Sequence, residues 1–144
     1  YRTALLTLAK ASGLSDNAVQ FHDPVAPDDL FAFAAKFDIG IAGETASTLN
    51  RDICLTNKIF TYLQCGLAIV ASNTNAQALF IQQYPNSGAL YGKTDESSLA
   101  AVLDHYLKNS QALLSVRQAN YQLGQETMNW ENERVKFVEV IESL

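Results

Sequence analysis

The residues best suited to chemistry gather between positions 43 and 61. Thr56, Asn57 and Lys58 open a short helix. Its start offers unpaired backbone N–H groups and the positive end of a helix dipole, which can hold a phosphate with Lys58 adding charge. Every helix has such an end, so the plainer alternative is an ordinary cap beside a solvated lysine. Glu44, Arg51 and Asp52 stand upstream in the polar stretch GETASTLNRDI, residues 43–53. That connection is longer than most, and long loops often carry function. A carboxylate there can accept sugar hydroxyls, and Arg51 can pair with a phosphate. The competing reading is a solvated loop with a local Arg51–Asp52 contact. His22 follows a short strand candidate, residues 17–21, and could touch a ligand, although a lone histidine is more often incidental. Cys54 and Cys65 are too few and too far apart for a zinc site or a redox CxxC pair, and they read as small apolar residues. There is no Gly-rich phosphate loop, GxSxG or HExxH. The residues contain no complete catalytic set, no metal site and no cofactor motif.

The element that must position these groups is LTNKIFTYLQCGLAIVAS, residues 55–72. Thr56 or Asn57 caps a helix, Gly66 ends it, and residues 67–71 form a continuous apolar run. Such a run suits a strand covered on both faces. Before it, residues 1–12 read as a helix stopped by Gly13, residues 22–27 as a proline-containing loop, and Asp28 or Asp29 as the start of a helix through Lys36. FDIGIA, residues 37–42, is the preceding strand. After it come a turn at 73–75, a helix at 76–84 ended by Pro85, and a short strand at 88–91. Helices are then expected from about 98 to 107 and from 111 to 128. Trp130 leads a last helix and is expected to anchor it in the core. Strands alternating with helices predict an α/β fold: a Rossmann-like, right-handed parallel sheet with helices on both faces and a helical C-terminal tail. Ligands in such sheets bind beyond the carboxyl ends of the strands.

A length of 144 residues fits one domain, 1–144, and an apolar fraction of 48% can support a core. The net charge of -5 argues against broad nucleic-acid binding, which needs clustered Lys and Arg. No apolar run approaches a bilayer span and no signal peptide is visible, so a reduced, cytoplasmic setting is the simplest reading. Tyr1 enters a helix at once with no initiator Met, so a piece of a longer protein is expected.

At NKIFTYLQCGLAIVAS the sequence resembles the C-terminal, donor-binding domain of GT-B-fold glycosyltransferases of the group 1 type. VQFHDPVAPDDLFAFAAKFDIGIA, SGALYGKTDESSLAAVLDHYL and NWENERVKFVEVIESL resemble that domain's other segments in order, so nearly the whole chain is covered. The resemblance implies a nucleotide-sugar donor as substrate and transfer of its sugar to an acceptor hydroxyl. It places the diphosphate at Thr56 to Lys58, the base near His22 and Asp23, and donor contacts at Glu44, Asp52 and Thr61. A departing nucleotide diphosphate gathers negative charge that fixed dipoles can stabilise. The chain departs from the family where many relatives carry a Glu-x7-Glu pair, since those places fall on Ile53 and Thr61. The family's first strand and its N-terminal, acceptor-binding domain are not in this sequence. The chain alone is therefore expected to be inactive. Two partner expectations follow from the resemblance: self-association through unpaired sheet edges, and peripheral membrane association of the full-length protein. The alternative function is a non-catalytic nucleotide-binding or protein-interaction domain of the same fold.

Overall fold

Ala68–Ser72 is buried at all of its positions, as its unbroken apolar run predicts. It is the middle strand, β2, of a three-stranded sheet. Ile39–Ala42 (β1) lies parallel on one side, with Ile39 opposite Ala68. Gly88–Tyr91 (β3) lies parallel on the other, with Ile69 opposite Gly88. The computed structural model describes all residues, Tyr1–Leu144, which form two compact units, Tyr1–Leu30 and Phe31–Leu144. The sheet belongs to the second.

In the first unit, Arg2–Ala11 (α1) ends at Gly13, whose φ of 77° is the left-handed turn that glycine permits. Residues 17–21 are not the strand expected from the sequence. The Ala18 amide bonds to the Ser15 carbonyl, so a turn occupies the start of that segment. Val19 and Phe21 leave too short an apolar run to earn a place in a sheet. Arg2 braces the following stretch, with its guanidinium 5.5 Å from the centre of the Phe21 ring and 3.4 Å from Asp23 Oδ1.

The second unit is layered, with helices on both faces of the sheet. Leu30–Ala34 (α2) follows a 3-10 turn, Pro27–Asp29, that belongs to the first unit. Leu49–Ile53 (α3) and Asn57–Gln64 (α4) follow β1, and Asn75–Gln83 (α5) follows β2. Ile59 and Leu63 of α4 and Phe80 of α5 pack with Ile69 and Ala71 on one face. Glu96–Lys108 (α6) and the start of Ser110–Glu126 (α7) cover the other, where Tyr106, Val102 and Val116 meet Ala68 and Val70. α7 also reaches α4, and Gly124 permits this: a Cβ there would sit 3.0 Å from the Leu63 carbonyl. Gly40 plays the same part in β1, where a Cβ would strike the Tyr62 ring at 2.5 Å. Buried Asn120 of α7 donates to the Leu67 and Ser87 carbonyls at 2.6 and 2.7 Å, tying the amino ends of β2 and β3.

Two further expectations change. The polar stretch 43–53 is not wholly a loop, because Thr48 caps α3 by accepting from the Arg51 amide at 3.4 Å. Trp130 is not a core anchor. It opens Trp130–Glu142 (α8) and is 67% exposed, and no residue of that helix is buried. No helix is long and apolar enough to cross a membrane.

Candidate functional site at the carboxyl end of the sheet

Parallel strands place all their carboxyl ends on one edge, and the helices that follow them begin there. The segment after Ala42, the turn after Ser72 and the turn after Tyr91 therefore meet, although they are far apart in sequence.

Glu44 is the buried centre of this edge, 7% exposed. Its backbone is locked to the end of β2: the Glu44 amide donates to Ser72 Oγ at 2.8 Å, and that hydroxyl lies 2.8 Å from the Glu44 carbonyl. Ser72 Oγ also lies 3.2 Å from Oε1 of the fully buried Gln77. The Glu44 carboxylate receives Lys58 Nζ at 2.6 Å, and Arg51 comes within 3.9 Å. Both cations stay open to solvent, at 49% and 58% side-chain exposure. One buried anion thus gathers two accessible cations beside the start of α4. The trio carries a formal net charge of about +1.

The start of α4 is itself unfilled. Thr56 occupies the cap position, yet its hydroxyl makes no capping bond and is buried without a partner. In α3, α5, α6, α7 and α8 a side chain accepts from the first turn. Asn57 and Lys58 therefore present amides that no side chain takes, at the end of the helix where the dipole favours an anion. The sequence expectation that Thr56 or Asn57 would cap this helix is corrected here.

Asp52 forms a second cluster on the same edge. Its carboxylate accepts from the Asn75 backbone amide at 3.3 Å, from the Asn75 side chain, and from Lys93 Nζ at 3.2 Å. The Asn75 amide and the Lys93 ammonium hold this carboxyl below its ordinary value. Asp52 thus docks α3 onto the first turn of α5, and it is not paired with Arg51 as the local reading supposed. Ala46, with a φ of 50°, supplies the left-handed bend between Glu44 and α3.

The remaining sequence candidates separate. Thr61 Oγ1 lies on α4 and donates to the Asn57 carbonyl at 3.2 Å, an ordinary helical back-bond. His22 and Asp23 belong to the first unit, where Asp23 pairs with Arg2. The sequence set the stretch 72–77 on this edge without giving Ser72, Asn75 or Gln77 a role, and it did not point to Lys93. Ser72 and Asn75 were legible as a strand end and the turn after it, but Lys93 gave no signal before β3 was set beside β2. No three His, Cys, Asp or Glu side chains converge as a metal site would require. No protein-family model, curated protein or solved structure matches this chain.

Proposed function

We propose that this chain is the nucleotide-sugar donor-binding domain of a glycosyltransferase. One observation carries the reading: the α4 start, with an uncapped first turn and with Lys58 and Arg51 gathered by Glu44, stands at the carboxyl end of a parallel sheet. Free amides, a helix dipole and two solvent-open cations suit a diphosphate. The same stretch is where the sequence resembles donor-binding domains. In this reading Thr56, Asn57 and Lys58 face the diphosphate, and Glu44 serves as the anchor that positions Lys58. Sugar transfer would need an acceptor-binding domain as partner. β1 and β3, each with one strand neighbour, are where a further strand or a second chain would add.

A non-catalytic nucleotide-binding domain is the second reading. Thr61 favours it, because a hydroxyl spent on the Asn57 carbonyl stands where the glycosyltransferases that the sequence resembles commonly place a carboxylate.

Titration with nucleoside diphosphates, followed by amide NMR shifts, tests the binding claim. The expected result is saturable perturbation at residues 56–58, weakened at least fivefold by Lys58→Ala. Shifts confined to other regions, or none at millimolar ligand, would overturn it. Transfer or hydrolysis assays on a longer protein containing this domain separate the two readings.

A further inference from the structure

A groove of about 680 Å³ opens elsewhere on the second unit, away from the sheet's carboxyl edge, between α2, the later turns of α4 and the junction of α7 with α8. Its apolar lining is Phe31, Phe60, Met128 and Trp130, three aromatic rings and a thioether. The rings are substantially open to solvent, Trp130 most of all. The volume lies in the range of small-molecule sites.

The walls are fixed by bonds that also occupy their amide side chains. Gln64 Nε2 donates to the Met128 and Gly124 carbonyls at 2.7 and 2.9 Å, and its Oε1 accepts from Gln125 at 3.1 Å. Asn129 donates to the Gln125 carbonyl at 2.6 Å and accepts from the Asn132 amide at 2.9 Å. Cys65 Sγ reaches the Phe31 carbonyl at 3.4 Å, which pins α2 to the end of α4. The lining therefore has few amide groups left for the hydroxyls of a sugar. It has no basic residue for an anion.

Two carboxylates complete the lining, Glu131 and Glu133. Glu133 is matched by Lys136 at 2.6 Å. Glu131 makes no ion pair or hydrogen bond. An aromatic surface beside one uncompensated carboxylate is complementary to an organic cation, because ring faces and the carboxylate both attract positive charge spread over methyl groups.

We propose that this groove binds a small organic cation of the quaternary or alkylated ammonium class, held by Phe31, Phe60 and Trp130 and matched in charge by Glu131. The proposal is independent of the donor-site reading, since it uses none of the same side chains.

Trp130 is the only tryptophan in the chain, so its emission reports on the groove directly. The test titrates the whole chain with choline and with dimethylbutanol, its uncharged carbon isostere. The expected result is a saturable change in Trp130 emission, with choline bound at least tenfold more tightly. Glu131→Gln should abolish that preference, and Glu133→Gln should leave it within twofold. Circular dichroism of each variant confirms that α8 still folds. Equal binding of the two probes, no response to choline, or an unchanged preference in Glu131→Gln would each overturn the proposal. So would a doubled mass by light scattering with Trp130 already shielded, which would give the groove to a second copy.

Discussion

β2 and α8 are both rich in apolar residues, and they end in opposite surroundings. β2 is buried throughout, whereas Trp130, Phe137, Val138 and Ile141 of α8 are all exposed. The difference is one of layers. Alternate residues of β2 point to opposite faces, and each face has helices waiting: α4 and α5 on one, α6 and α7 on the other. α8 begins after a turn fixed by Asn129 and Asn132, and its apolar stripe meets no second layer within the chain. An apolar pattern states which face seeks cover. It does not state whether cover exists.

The sharpest test of this contrast is a pair of truncations. Leu63→Ala opens a cavity among residues that are fully buried. It should cost about 2–5 kcal/mol in denaturant unfolding. Phe137→Ala removes a larger side chain from an exposed position and should change stability by less than about 0.5 kcal/mol. Comparable losses in the two variants would mean that α8 is packed in solution.

The carboxyl edge extends the contrast to polar groups. Glu44→Gln keeps the shape but removes the charge that holds Lys58 and Arg51. A loss of about 1–3 kcal/mol is expected, because a buried charge-assisted bond is weakened. Loss of order in the Lys58 side chain should accompany it in NMR spectra, and unaltered Lys58 signals would remove Glu44 from the role of anchor.

Asp52→Asn should have a smaller effect than Glu44→Gln and a defined pH dependence. The carboxyl is held below its ordinary value in the folded chain, so its contribution is present above the unfolded value and fades as pH falls below the ordinary carboxylate range. The variant should therefore differ from the parent at neutral pH and converge with it in acid. Hydrogen exchange should quicken first in α3 and at Asn75, which Asp52 joins. A constant difference across pH would show that the ion pair with Lys93 does not stabilise the docked α3.

Much of the fold could be read from local pattern. The run at 67–71, the stop at Gly66 and the strand at 88–91 each depend on neighbours in sequence, and each stands within one residue of its expected place. Failures came where the deciding partner was distant. Residues 17–21 carry strand-like side chains, but a turn and the brace from Arg2 claim them. Trp130 has the size of a core residue and lacks a core to enter. Part of the site was legible in the same way: Glu44 and Arg51 were marked by their charge in the long polar stretch 43–53, and Lys58 by its place at a helix start. That Glu44 would be buried and bonded through Ser72 depended on a residue 28 positions away.

The amino-acid order alone carried the α/β alternation, the parallel sheet and the helix start at Thr56, because periodicity and glycine stops act over a few neighbours. The meeting of Glu44 with Ser72, of Asp52 with Asn75 and Lys93, and of Phe31 with Trp130's groove came only with the tertiary structure. Strand register and helix docking bring such residues together, and neither is written in local spacing.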